Sequence, residues 1–203
     1  TATITVTSDD QGASGGGALS DTDVLNVLVG AQRFQEGVDG YSGTQDTYVS
    51  IGSATTDHGS ETTVISDDAS LTDGALLRFD NLIGAGAGQI PAGSTITSAS
   101  LSFYVTNNDL FDSVALHRML APWTEASTYN TLTGGISTDD SEAASSSEAI
   151  INAGQLGWVT VSGLESTVQA WANGDANHGW AFISNLADAW AFASSEHANP
   201  TLR

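Results

Sequence analysis

Eight short segments rich in β-branched and aromatic residues succeed one another between Thr47 and Ser195: TYVSI, TTVIS, GALLRFD, TITSASLSFYVTN, SVALHRML, GWVTV, GWAFIS and WAFASS. Polar, glycine-rich turns separate them. Strands this short and this evenly spaced cannot bury their apolar side chains singly, so they must pair into sheets that pack face to face. The predicted fold class is all-β: a jelly-roll-type β-sandwich with one short helix and an extra N-terminal strand. In TITSASLSFYV, Thr97, Ala99, Leu101, Phe103 and Val105 share one face and the other face is mostly serine. That alternation marks a strand with one side in a core and the other in water. The helix is expected in SGLESTVQAWANG. Ser162 and Glu165 have capping-box spacing, Leu164, Val168 and Trp171 form one stripe, and Gly174 is the stop. Residues 134–154 read as a long acidic loop with at most one helical turn.

The N-terminus has its own organisation. TATITVT, residues 1–7, alternates cleanly, with Ala2, Ile4 and Val6 on one face and threonines on the other. SDDQGASGGGALS follows as a linker, and DTDVLNVLVG reads as a second strand ending at Gly30. The expected division is therefore residues 1–20 as strand and linker and residues 21–203 as the sandwich. With no initiator Met, signal peptide or tag, the chain reads as processed or as cut from a longer precursor.

Composition narrows the partners. Against 24 acids stand only Arg33, Arg78, Arg118 and Arg203, with no lysine, for a net charge of −20. Such a surface repels phosphate backbones and anionic lipid, so neither nucleic acid nor membrane insertion is expected. It favours divalent cations and a secreted protein. The chain has no cysteine, which excludes disulfides and thiol chemistry. His58, His117, His178 and His197 show neither HxH nor HExxH spacing, and no GxSxG is present. No catalytic residue is assigned.

Three sets of residues remain as candidates. In GVDGYSGTQDTYVS, Gly37, Gly40 and Gly43 permit tight turns, while Asp39, Gln45 and Asp46 supply oxygens of the kind calcium takes. The competing reading is a solvated turn entering a strand. Arg78 and Arg118 each stand alone in an apolar strand and are expected in structural ion pairs, with Asp80 and Glu196 as acceptors. Of the aromatic residues, Trp171, Trp180 and Trp190 are assigned to the core. Tyr41, Trp123 and Tyr129, in loops, are the candidates for a ligand face; Trp158 carries no assignment.

Several phrases occur in a telling order: GYSGTQDTYVS, ALLRFDNLIGAGAGQIPAGSTITSASL, LHRMLAPWTEASTYN, VQAWANGDANHGWAF and FASSEHANPTL. Together they resemble the DNRLRE-domain family of secreted β-sandwich modules, over about residues 33–202. Some relatives are carbohydrate-binding modules appended to polysaccharide-degrading enzymes. The resemblance implies a jelly roll without a catalytic centre. In such sandwiches a metal often joins the first and last strands, which adds Glu196 to the expected calcium ligands. Two departures stand out: Tyr129 replaces the family's usual tryptophan, and the chain stops at NPTLR where relatives continue through a last strand. Residues 1–30 are more similar to the tail of a cadherin-like or adhesin repeat. From these readings the chain is expected to be a non-catalytic extracellular structural or adhesive module, with TATITVT filling the open edge of its own domain or of a neighbouring copy, the latter building a filament. The alternative is a calcium-stabilised carbohydrate-binding module of a polysaccharide-degrading or surface protein.

Overall fold

The computed structural model describes residues 30–67, 73–108, 113–184 and 189–203. The strands expected in TATITVT and DTDVLNVLVG, with Ala2, Ile4 and Val6, lie outside the described residues. Among the described residues nine strands and one α-helix are formed: β1 (Thr44–Ser50), β2 (Thr63–Ser66), β3 (Asp73–Phe79), β4 (Ser100–Asn107), β5 (Val114–Met119), β6 (Ala143–Ile151), β7 (Gly157–Ser162), α1 (Glu165–Ala172), β8 (Trp180–Ser184) and β9 (Trp190–Ala193).

They form two antiparallel sheets, β1-β3-β8-β5-β6 and β2-β9-β4-β7. The pairings are nested: β5 with β6, β4 with β7, β3 with β8, and β2 with β9. This is one long double-stranded ribbon wound into two layers, the jelly-roll arrangement the strand spacing predicts. β1 adds a fifth strand at the β3 edge.

Between the layers Phe103, Phe182, Trp190 and Phe192 pack with ring centroids 5.1 to 5.8 Å apart. Leu77, Leu101, Val105, Leu116 and Trp171 extend this core. A second cluster lies on the far side of the five-stranded sheet. There Val49, Leu76, Met119, Ala181 and Ile183 meet Trp123, Leu132 and Ile136 from the β5–β6 connection. That connection folds over the sheet and covers it. The larger sheet is thus buried on both faces, which is why GALLRF and WAFIS run apolar without alternating. The smaller sheet differs. Along β4 and β7, Leu101, Phe103, Val105, Val159 and Val161 point inward, while Ser100, Ser102, Trp158, Thr160 and Ser162 are exposed.

Three expectations are corrected. The acidic loop contains β6: AASSSEAII pairs with β5 as an edge strand, through two irregularities of register. Its serine run hides the strand from a hydrophobicity pattern, because an edge strand needs a partner's backbone more than it needs apolar side chains. Thr97 is exposed and precedes β4, so the alternating face begins at Leu101. Ser162 ends β7 and caps nothing. The helix starts after Leu164 without a side-chain cap, and Glu165 instead accepts a hydrogen bond from Ala99 N–H at 3.2 Å. Gly174, at φ +110°, does end the helix region.

Gly179 is required where it stands. It enters β8 at φ +69°, and a Cβ there would run into the Leu77 carbonyl and lie 2.7 Å from Arg78 Cβ. Gly179→Ala should cost about 3 kcal/mol, read as a lowered urea midpoint with an unchanged slope. A midpoint equal to wild type would show that the two strands can part here without strain. No helix among the described residues is long and apolar enough to cross a membrane.

Candidate functional site

The glycine-rich first turn closes on its own backbone. Gly37 N–H donates to the Tyr41 carbonyl at 2.9 Å and Tyr41 N–H to the Val38 carbonyl at 2.9 Å. Gly37, Asp39 and Gly40 all take positive φ, and Asp39 is exposed. Tyr41 turns inward: its hydroxyl donates to the Asp80 carbonyl at 2.8 Å and its ring packs against Phe34 and Phe79.

The four expected calcium ligands are not gathered in one place. Gln45 and Asp46 are consecutive residues of β1 and project from opposite faces of the sheet. Asp46 is buried, at 2 % exposure, and accepts a hydrogen bond from Ser195 N–H at 2.8 Å, which brings it beside Glu196. Burial raises its carboxyl to about 7. The Ser195 N–H opposes the rise, and the neighbouring charges of Glu196 and Glu125 add to it. Glu125 is itself raised, first by burial and then by Glu196. Nothing in the sequence around Glu125 marks it as a neighbour of Asp46. Among the described residues no group of three or more His, Cys, Asp or Glu side chains is arranged to hold a metal ion.

The arginines and the remaining loop aromatics serve the fold. Arg78 Nε meets Asp80 at 2.7 Å, its Nη1 donates to the Trp123 carbonyl at 2.7 Å, and its guanidinium lies 4.8 Å from the Trp123 ring centre. Arg118 pairs with Asp175 at 3.0 Å, and neither Asp80 nor Glu196 is its acceptor. Trp123 is 3 % exposed and its indole N–H donates to the His178 carbonyl at 2.7 Å. Tyr129 is half-buried against the second core cluster. Tyr41, Trp123 and Tyr129 therefore do not line up as a ligand face. A loop position is a poor guide to exposure when the loop itself lies down on a sheet.

The open face of the smaller sheet carries a different set. Register places Ser100 opposite Ser162, Ser102 opposite Thr160 and Tyr104 opposite Trp158. Ser102 Oγ and Thr160 Oγ1 are hydrogen-bonded at 2.8 Å. The Tyr104 and Trp158 rings meet edge to face at 5.8 Å. Trp158 is 49 % exposed, and Leu156 and Ile150 beside it are also exposed. These three line a cleft of about 600 Å³ where the β6 and β7 edges diverge. Asn108 holds the connecting turn, its amide donating to the carbonyls of Asn152 at 3.3 Å and Gln155 at 3.1 Å. The signal for Trp158 was present in GWVTV: Val159 and Val161 alternate with Trp158 and Thr160.

This geometry offers an aromatic ring with an apolar face, hydroxyls that can donate or accept, and no ionised group among them. It suits a flat, polyhydroxylated, uncharged ligand. A β-sandwich presenting such a face on a rigid sheet has the form of a binding module. More narrowly, carbohydrate-binding module family 96 matches residues 39–203, and the chain belongs to that family. No curated protein matches it. The match agrees with the carbohydrate-binding side of the resemblance drawn from the sequence phrases and is not to DNRLRE itself.

Proposed function

We propose that the chain is an extracellular, non-catalytic module that binds neutral polysaccharide on the β4–β7 face. Trp158 and Tyr104 serve as the stacking surface and Ser102 and Thr160 as hydrogen-bonding groups. The observation that carries this is the Trp158–Tyr104 pair on a sheet face left uncovered among the described residues. Trp158 stands with exposed Leu156 and Ile150, and a grouping of exposed apolar side chains rimmed by polar ones marks a binding surface. The net charge of −20 directs the site away from polyanionic glycans. Calorimetry against neutral and acidic polysaccharides should show binding confined to the neutral set. Binding only to acidic chains would overturn this assignment of the ligand.

Calcium enters the proposal as a stabiliser at Asp46 and Glu196, away from the glycan face. Two adjacent carboxylates, one buried and raised to about 7, are the observation behind it. Millimolar calcium should raise the melting temperature of chelator-treated protein at pH 8, since a cation held only by the folded state stabilises it by mass action. An unchanged melting temperature would remove calcium from the account.

A further inference from the structure

The cleft beside Trp158 is more apolar than a bare sugar needs. Ile150 is 54 % exposed and Leu156 63 % exposed, and both line it together with Trp158. The other large apolar side chains exposed among the described residues, Ile51 and Leu120, lie outside it. The arrangement is built rather than incidental. Ile151 anchors the end of β6 in the inner core and leaves Ile150 outside. Asn108 ties down the turn that follows through the carbonyls of Asn152 and Gln155, which sets Leu156 at the start of β7. Asn152, Gln155 and Thr160 line the cleft as well, and none of its lining residues is ionisable in a chain that carries 24 acids. At about 600 Å³ it has room for a sugar ring with a substituent.

A sugar ring has an apolar face and a rim of hydroxyls. Trp158 serves the face, and Ser102 and Thr160 serve hydroxyls. Leu156 and Ile150 serve neither. A hydroxyl pressed against them gives up water and finds no partner, whereas a methyl group in the same place gains by leaving water. The side-chain amides of Asn152 and Gln155, on the same cleft, can donate to a carbonyl. Methyl and carbonyl side by side are an acetyl group. We infer that the cleft reads an acetyl substituent, ester or amide, on a neutral polysaccharide. The methyl lies against Leu156 and Ile150, and the carbonyl accepts from Asn152 or Gln155. This deepens the assignment of the β4–β7 face to glycan and rests on it. A 6-deoxy sugar brings the methyl without the carbonyl and uses half of the arrangement. A uronate brings a charge that no lining residue answers.

Calorimetry of the full chain with two matched pairs of probes tests this. Acetylated glucomannan is compared with the same polymer after mild alkali, which removes ester acetyls and leaves the backbone. Chitohexaose is compared with cellohexaose, which lacks the acetamido groups. A buried methyl and a hydrogen bond together should make the acetylated member of a pair bind about tenfold more tightly. The pair that shows the preference distinguishes ester from amide. In Ile150→Ser/Leu156→Ser the preference should vanish. Equal binding by both members of each pair, lost in Trp158→Ala, would overturn the acetyl inference and leave the glycan face standing. A preference that survives the double variant would place the acetyl elsewhere and overturn the role of the cleft. Binding by none of the four probes would also overturn the inference, and the glycan reading would then stand or fall on the wider neutral set. Saturation-transfer NMR gives a reading that needs no variant. With wild-type protein the acetyl methyl protons should receive more saturation than any ring proton, because they face two aliphatic side chains. Transfer to the methyl no greater than to the ring would overturn the inference as well.

Discussion

Trp158→Ala is expected to remove polysaccharide binding while leaving the melting temperature within a degree or two of wild type. The two effects separate because of where the ring sits. Trp158 is 49 % exposed and its recorded ring partner is Tyr104, itself on the surface of the sheet. Its neighbours Val159 and Val161, which do face the core, are untouched. A central tryptophan in a binding face commonly accounts for 2 kcal/mol or more, about a thirtyfold loss in affinity. Trp158→Phe should retain part of the binding, since the apolar face survives at reduced area. Trp123→Ala is the contrast. That ring is 3 % exposed, lies beneath Arg78 and donates to the His178 carbonyl. Its removal should cost about 3–5 kcal/mol of stability, and binding would fall only as the fold is lost. Calorimetric titration and thermal melts on both variants decide the matter. Undiminished binding by folded Trp158→Ala would move the site off the β4–β7 face.

Asp46→Asn should stabilise the protein at pH 8 and flatten its pH dependence. The sign follows from the direction of the shift. The carboxyl is raised from 3.8 to about 7 in the folded state, first by burial and further by Glu196 and Glu125. Between those values the folded chain holds a proton that the unfolded chain has released. Stability is therefore fully present below about pH 4, declines as pH rises to about 7, and levels off above. The decline attributable to this group is on the order of a few kcal/mol. Glu125, raised in the same direction, adds to it. Asparagine is neutral at every pH and keeps an oxygen to accept from Ser195 N–H, so it removes the charge and preserves the contact. The general repulsion among 24 acids also grows with pH, and for that reason the informative quantity is the difference between wild type and variant. Urea midpoints at pH 5 and pH 8, in chelator, should diverge by far more at pH 8. Parallel midpoints would mean that the carboxylate is better solvated than its position allows. Calcium reverses the comparison if Asp46 and Glu196 hold it, because a bound cation favours the ionised carboxylate and acts on wild type alone.

The eight strands named between Thr47 and Ser195 all form, since alternation and glycine punctuation act within a few residues and report backbone preference directly. The same alternation already placed Leu101, Phe103 and Val105 inside and the serines of β4 outside. β6 escaped because AASSSEAII has no apolar period. It is a strand through its pairing with β5, and Glu148 on it accepts from Trp180 Nε1 at 2.7 Å, a contact between residues 32 apart in sequence. The candidate site divides in the same way. That Gln45 and Asp46 face opposite ways is implied by their adjacency in a strand; that Asp46 meets Ser195 across 149 residues is a product of the winding. Trp123 stands after a proline in a polar loop, and local context ranks it as exposed, whereas the alternation of GWVTV sets Trp158 on the face opposite Val159 and Val161 without saying which face meets water. The tertiary structure decides both. The β5–β6 connection lies across the larger sheet and buries Trp123, while no described segment covers β4 and β7, leaving Trp158 in water. Strand identity and the two faces of each strand depend on neighbours a few residues away and are written in the sequence. Which sheet face stays open depends on contacts between distant segments, and only the folded chain decides it.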